Sequence, residues 1–355
     1  MRGYSRHTPA RLPSGQPPLL CVVVDTEEEF DWSQPFDRDS TSVNSIAAQV
    51  LAHERVHDKF GVVPAYVIDW PVASKPEGIA PLKALMDQGR CEIGAHLHPW
   101  VSPPYEETVN VFNSFAGNLP PELEFEKISR LTAEIAKNFQ RAPVIFKAGR
   151  YGLGPSTFEM IEKLGYLVDV SIVPHTSFAH EGGPDFRRFT NQPFFFGAGH
   201  PRLLELPVTT AYTGLLRRHG NAVAAATRSN VGRMFRLGGI AARTRMLERI
   251  RLSPEGFSGA ELVRVMDSLL ASGVQVLTLS YHSPSLAPGN TPYVRTRADL
   301  DLFLGKISRV FKHFRDRWQG EFVSVSEART RLLNAGHLEQ VPPAKGIQAA
   351  TAGDA

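Results

Sequence analysis

Two hydrophobic periods alternate along the chain. Short apolar runs rich in β-branched residues recur, and between them apolar residues return every three or four positions. The first run, Val22-Val23-Val24, is bounded upstream by Pro17 and Pro18 and suits a strand buried on both faces. Residues 42–60 then place Val43, Ile46, Ala47, Val50 and Leu51 on one helical face, with Gly61 as a stop signal. Residues 62–70 predict a second strand, 79–86 a helix stopped at Gly89, and CEIGAHLHPW a third strand. Residues 121–139 read as helix and 144–146 as a brief strand, and Ser156 with Glu159 carries a capping-box signature for a helix that Gly165 ends. Strands are expected at 167–172 and 203–206. Ser258 and Glu261 cap a helix ended by Gly273, and 274–281 forms a strand reaching His282. Leu300, Phe303, Leu304, Ile307, Val310, Phe311 and Phe314 mark an amphipathic helix. Phe322 and Val323 form a last strand before a helix from Ser326.

Strands alternating with helices argue for a parallel sheet, and roughly seven or eight such units close more naturally into a barrel than stay open. The expected organisation is a flexible Pro-rich arm over 1–17, one α/β domain over 18–340, and a disordered Ala- and Gly-rich tail over 341–355. Residues 211–256 break the rhythm. Between Arg217 and Arg251 lie nine arginines and one acidic residue, Glu248, read as an inserted helix pair or a long excursion. No GxGxxG or GxxxxGK[ST] follows a strand, which removes the nucleotide-binding readings.

Composition narrows the class. Hydrophobic residues make up 42% and charged residues 21%, as in a globular protein with a real core. A net charge of +3 is too small to argue for nucleic acid. The first residues lack the apolar stretch of a signal peptide, and no apolar run approaches the ~18 residues of a transmembrane helix, so a cytoplasmic protein is expected. Cys21 and Cys91 read as reduced packing residues.

The chemistry gathers at strand ends. The first strand turns acidic at Asp25, Glu27, Glu28, Glu29 and Asp31, and the i, i+2 spacing points Asp25 and Glu27 the same way. The third strand ends in His96 and His98, again i, i+2. The fourth is followed by Lys147, Arg150 and Tyr151, the fifth carries Asp169, and a late strand gives His282. Groups at the C-terminal ends of barrel strands converge on one face. Two neutral imidazoles and a carboxylate are good ligands for Zn²⁺ and leave a position open for water. Trp32, Trp70, Trp100 and Tyr151 are candidate platforms for a sugar ring.

On VDTEEEFDW, EIGAHLHPW, FKAGRYG, the segment around Asp169 and SYHSPSL, the chain resembles the polysaccharide deacetylase superfamily, in particular its WalW-type branch. The resemblance runs through most of the chain. It implies a distorted (β/α)7-type barrel, a divalent metal (most often zinc), and hydrolysis of a C–N bond in an acylated sugar of bacterial surface polysaccharide or lipopolysaccharide. It makes Asp25 the general base, Glu27, His96 and His98 the metal ligands, and His282 the general acid. Lys147 and Tyr151 line the groove, and Lys147 or Arg150 holds Asp25 ionised. Trp32, Trp100, Tyr151 and Asp169 are expected to contact substrate. In the usual family pattern the first two acids are adjacent, where here Thr26 separates them, and the histidines lie four apart, where here Leu97 alone intervenes. Lys147 stands where an arginine is usual.

Two other readings stay open on the residues: a catalytically silent barrel that binds a carbohydrate or a partner, and a metal-free glycosidase with two carboxylates, which leaves His96, His98 and His282 unexplained. The stretch 217–251 is either a solvated cationic face or a docking surface for an acidic glycan or the headgroups at the inner face of a membrane.

Overall fold

The computed structural model describes residues 7–31, 33–196, 203–217, 220, 223 and 247–339. Twelve strands are named in chain order: β1 (His7–Pro9), β2 (Leu19–Thr26), β3 (Ala65–Ile68), β4 (Glu92–Leu97), β5 (Ile145–Ala148), β6 (Val168–Asp169), β7 (Phe194–Phe196), β8 (Leu204–Glu205), β9 (Thr210–Thr213), β10 (Glu248–Arg251), β11 (Val276–His282) and β12 (Glu321–Phe322). The helices are α1 (Gln49–Ala52), α2 (Asp58–Phe60), α3 (Trp70–Ser74), α4 (Pro76–Asp87), α5 (Pro121–Phe139), α6 (Thr157–Lys163), α7 (Gly259–Leu270), α8 (Arg297–Trp318) and α9 (Val325–Glu339).

Strands β11, β2, β3, β4, β5, β6 and β8 follow one another in that order and run parallel. β7 and then β1 extend the sheet antiparallel beyond β8. Parallel strands are covered on both faces, which is why β2 is buried along its whole length. Its alternate residues divide between two cores. Leu19, Cys21 and Val23 join Ala65, Val67, Ile145, Val168, Leu204 and Val276 in an inner core, closed at one end by Val325, Ala328 and Leu332 of α9. Leu20, Val22 and Val24 face outward with Ile68, Phe146 and Leu277, under the helices. Each large apolar side chain so buried contributes about 1.5–3 kcal/mol, which offsets the cost of burying the polar groups at the strand ends.

Among the described residues the ladder does not run on from β8 to β11. At that seam Thr209 donates its N–H to the Thr278 carbonyl (3.3 Å), Thr278 N–H donates to Thr209 Oγ1 (2.7 Å), and Ser280 N–H donates to the Leu252 carbonyl (3.1 Å). Segments flanking the excursion thus lie across the seam, and the barrel is distorted there.

Several details differ from the sequence-based expectation. Residues 42–60 are not one helix: a 3₁₀ turn (Asn44–Ala48), α1, a π-helical turn (His53–His57) and α2 follow in series. Ser156 makes no capping bond. Thr157 takes the local role, its Oγ1 accepting from Gly154 N–H at 2.8 Å and donating to Glu124 at 2.5 Å. The stretch read as a flexible arm contributes β1, which pairs with β7. The stretch read as inserted helices is anchored on an antiparallel hairpin of β9 and β10, and most of the excursion lies outside the described residues, as does the tail over 341–355. Cys21 and Cys91 are buried free thiols. Among the described residues no helix is long and apolar enough to cross a membrane.

Candidate active site

The inner face of the sheet ends in titratable groups because the alternation of its strands carries on to their C-terminal ends. In β2 the inward series Leu19, Cys21, Val23 continues as Asp25 and Glu27. In β4, Ile93, Ala95 and Leu97 face the outer core, so His96 and His98 face inward. The register places His282 beside Asp25 across β11 and β2, and Lys147 beside His96 across β5 and β4.

Glu27, His96 and His98 form a cluster. Glu27 Oε2 lies 3.6 Å from His96 Nε2 and 3.5 Å from His98 Nε2, and all three side chains are buried. Each histidine is oriented from behind. His96 donates its Nδ1–H to the Lys147 carbonyl (3.1 Å), a partner that can only accept, and His98 donates its Nδ1–H to Glu28 Oε2 (2.8 Å). Both Nε2 lone pairs therefore face Glu27. Burial, and then the neighbouring His98, holds the His96 pKa well below the usual imidazole range, and burial brings His98 down to about 4. Both rings are neutral at pH 7, the state that coordinates metal. Burial, with Glu28, Asp25 and Asp69 nearby, pushes Glu27 well above the usual carboxylate range. Its Oε1 accepts no hydrogen bond among the described residues. Neutral nitrogen lone pairs, an orphan carboxylate oxygen and a ring of further carboxylates fit a divalent cation.

Glu28, Asp69 and His98 make a second group of close oxygen and nitrogen atoms. Their atoms are already engaged. Glu28 accepts from Trp100 Nε1–H (2.9 Å) and from His98, and Asp69 accepts from the backbone N–H groups of Glu28 (2.7 Å) and Val72 (2.9 Å). This group supports His98 from the side away from Glu27. Trp100 also stacks on the His98 ring, with centroids 4.3 Å apart. It is buried among its neighbours and still lines the cavity beside His98.

Lys147 donates to Asp25 Oδ1 at 2.5 Å. Burial alone would raise the Asp25 pKa, but the Lys147 ammonium, aided by His96 and His282, brings it down to about 2. On its other oxygen, Asp25 faces His282 Nε2 at 3.6 Å. Glu255 holds that histidine in place: its Oε2 accepts from His282 Nδ1–H (2.7 Å) and its Oε1 from His282 N–H (3.0 Å) and the Ser285 hydroxyl (2.6 Å). Burial works against charge on His282, but the Glu255 carboxylate overrides it and raises the pKa above the ordinary 6.5. Glu255 was not among the residues the sequence singled out. Its signal lies in the run from Arg249 to Phe257, where Arg249, Arg251, Ser253, Glu255 and Phe257 line the cavity and Ile250 and Leu252 are buried in the outer core.

These groups open into a cavity of about 600 Å³, which Tyr151 also lines. The FKAGRYG turn holds Arg150 and Tyr151 at φ 52° and 59°, a left-handed pair that costs each residue about 1–2 kcal/mol. Arg150 does not reach Asp25. Its side chain pairs with Glu181, donates to Ser114 Oγ (2.6 Å) and lies over the Phe115 ring. Lys147 alone of the two holds Asp25, because Lys147 is on the inward parity of β5 and Arg150 lies beyond the strand. Arg150 still lines the cavity, whereas Asp169 does not. Its β6 neighbours Val168 and Val170 take the inward parity, so Asp169 faces outward beside Glu205 of β8. Trp70 packs against the outer core, and Trp32 lies outside the described residues, as does most of 217–251.

Gly149 leaves room for the cluster: a Cβ there would stand 2.4 Å from His98 Cδ2 and 2.4 Å from the Leu97 carbonyl oxygen. Gly149→Ala should weaken divalent-metal affinity about 10–100-fold, the usual effect of disturbing a ligand's support. Metal titration of the folded variant checks this; an unaltered affinity would show that His98 tolerates the displacement.

No protein-family model and no curated protein matches the chain. Among solved structures its fold is similar to that of a protein assigned as a polysaccharide deacetylase from Mycobacterium smegmatis, at 13% identity and a TM-score of 0.54, covering 97% of this chain and 99% of that one. It is similar to PuuE allantoinase at 15% identity and a TM-score of 0.55, covering 95% and 96%. It is also similar to a protein assigned as a glycoside hydrolase/deacetylase from Parabacteroides distasonis, at 12% identity and a TM-score of 0.56, covering 88% and 70%. At these identities the likeness is one of fold: the α/β barrel-like architecture of polysaccharide deacetylases.

Proposed function

We propose that the protein is a divalent-metal-dependent hydrolase that removes an N-acetyl or similar acyl group from a sugar of bacterial surface polysaccharide or lipopolysaccharide. The observation that carries this reading is the pairing of Asp25 and His282 above one carboxylate–imidazole cluster, the first held anionic by Lys147 and the second held cationic by Glu255. Glu27, His96 and His98 would hold the metal, with zinc the first candidate for two nitrogens and a carboxylate. When bound, a metal supplies Lewis acidity toward the acyl carbonyl and lowers the pKa of water.

The chain's own residues complete the chemistry. Asp25 Oδ2 accepts the proton released as water attacks, since Lys147 occupies Oδ1 and leaves Oδ2 facing the cavity. His282 Nε2 then donates a proton to the departing nitrogen, so the amine leaves neutral. Glu255 keeps the donor charged and fixes its Nδ1 tautomer. Tyr151 walls the groove over Lys147, whose ammonium lies 5.2 Å from its ring centroid. The motifs VDTEEEFDW, EIGAHLHPW, FKAGRYG and SYHSPSL support a WalW-type member of the polysaccharide deacetylase superfamily on this reading.

The test combines elemental analysis of the purified protein with a screen of acetylated sugars for released acetate and free amine. Roughly one divalent metal per chain and amine release that a chelator abolishes are expected. Metal without release on any acetylated sugar would favour the silent carbohydrate-binding barrel, and release without metal would sink the metal-dependent mechanism.

A further inference from the structure

The wall of the cavity is tied together from segment to segment. Arg150, after β5, pairs with Glu181, after β6. It also donates to Ser114 Oγ (2.6 Å), after β4, and lies 5.0 Å from the ring centroid of Phe36, after β2. Tyr151 stacks on Phe178 at 5.5 Å and accepts from Arg251 of β10 at 2.7 Å. Arg249 donates to the His175 carbonyl (3.0 Å), and Glu255 holds His282 and Ser285. Taken around the sheet, the segments after β2, β4, β5, β6, β10 and β11 are thus joined in turn. The join from β11 back to β2 is made deep in the barrel end, where Glu27 N–H donates to Ser283 Oγ (3.1 Å).

Beyond that bond the two segments part. Glu29, Phe30, Asp31 and Ser33 on one side, and 289–292 with Arg295 on the other, border a groove of about 640 Å³. Phe30 lines both the groove and the cavity, and its ring stands edge-on to His98 with centroids 6.2 Å apart. The groove therefore begins one ring away from the ligand cluster. Each side is held by its own bonds. Ser33 donates its N–H and its hydroxyl to Asp31 Oδ1 (2.8 and 2.7 Å), and Gly289 N–H donates to the Val294 carbonyl (2.9 Å).

The binding groups left in the groove are mixed. Among the described residues neither the Asn290 amide nor the Arg295 guanidinium makes a side-chain hydrogen bond, and Asp31 Oδ2 accepts none. Donors, an acceptor and an aromatic side chain suit a sugar ring, whose hydroxyls both donate and accept and whose C–H faces pack on aromatics. A cation on one side and carboxylates on the other favour an uncharged occupant, since either sign of charge would meet its like.

We infer that the substrate is an acylated sugar at the end of a chain, and that its one neighbour, an uncharged sugar unit, lies in this groove. The inference rests on the hydrolase reading above and narrows its substrate class. The acyl group sits over the Glu27–His96–His98 cluster, the link to the neighbour passes Phe30, and the neighbour meets Asp31, Asn290 and Arg295. A residue inside a chain needs a way out on two sides, and the tied segments leave one. Binding of the neighbour holds the acyl group in place over the cluster.

The test measures kcat/KM of the full-length protein on a matched set of acetylated sugars. The set holds a monosaccharide, two disaccharides with a neutral neighbour at the anomeric carbon or at a ring hydroxyl of the acylated sugar, their counterparts with a uronate neighbour, and a trisaccharide with both neutral neighbours. One neutral disaccharide should exceed the monosaccharide on the order of 10–100-fold, as two or three new hydrogen bonds allow. It should also exceed its uronate counterpart and the trisaccharide. Asn290→Ala and Arg295→Ala should each lower the disaccharide-to-monosaccharide ratio about 3–10-fold. Poor folding of a variant lowers both rates alike, so the ratio reads the groove and not the amount of active protein. The inference is overturned, with the hydrolase reading left standing, by disaccharides no better than the monosaccharide or by a ratio that both variants leave at the parent value. A trisaccharide or a uronate turned over as well as the better disaccharide overturns it too. If no sugar of the set is turned over, the hydrolase reading falls, and calorimetry with the same disaccharides decides the groove. Binding that both variants weaken keeps the groove as a sugar site; binding they leave unchanged, or none, sinks it as well.

Discussion

With His282 replaced by asparagine, turnover should fall on the order of 10²–10⁴-fold while the metal content stays that of the parent. The expectation rests on position. His282 Nε2 faces Asp25 and the cavity, and its Nδ1 is fixed by Glu255, so neither nitrogen belongs to the Glu27–His96–His98 cluster. The leaving nitrogen of an amide needs a proton, and asparagine cannot supply one. The pH profile gives a second readout. The donor acts in its protonated form, so kcat is lost as pH rises through the His282 pKa. Glu255 raises that pKa above 6.5, and Glu255→Gln should move the alkaline limb to lower pH as well as lower the maximum. An alkaline limb that stays in place in Glu255→Gln would assign it to another group. Metal lost with His282→Asn would instead make His282 a ligand.

Glu27→Gln should abolish the metal-dependent gain in stability. A ligand present at about 100 times its Kd stabilises the folded state by about 2.7 kcal/mol, read as a rise in Tm when metal is added to apo protein. The parent should show that rise and the variant should not. The same substitution removes a buried carboxylate placed among Glu28, Asp25 and Asp69, whose charges raise its pKa. The apo variant should therefore melt above the apo parent, a stability gained by giving up the cation site. Equal metal-induced shifts in the two proteins would remove Glu27 from the ligand set.

Much of the fold was legible because each parallel strand is a short apolar run bounded by turn residues, and because long helices such as α5 and α8 keep a clear period. The cluster was legible for a related reason: i, i+2 spacing survives wherever the backbone is extended, so Asp25 with Glu27 and His96 with His98 could be paired without knowing the topology. The errors come where a run of residues does not show which face is which. Asp169 sits at a strand end like Asp25, but Val168 and Val170 take the inward parity and turn it away. Glu255 lies in SPEG, which reads as a turn, and its role depends on the excursion returning beside β11. Trp100 reads as a platform from the sequence and does line the cavity; what only the packing shows is its indole N–H bonded to Glu28 and its ring stacked on His98. β1 was missed because three polar or proline-bearing residues carry no period, and its strand state is imposed by the edge it meets.

The hairpin at the base of the excursion has a bearing on how such a barrel can diversify. Glu248 stands opposite Thr213 in the β9–β10 register, so the chain leaves and re-enters the fold at neighbouring points. Directly opposed residues of an antiparallel pair are about 4.5–5.5 Å apart, a gap that a two-residue turn closes. The connecting segment can therefore lengthen, shorten or be exchanged for another sequence while Arg249, Arg251 and Glu255 keep their places. The return limb is not interchangeable in that way, since Leu252 also bonds to Ser280 across the open seam. Variation in the excursion is thereby uncoupled from the acid–base pair: its sequence is free to drift, and the few residues after it are tied to the barrel wall.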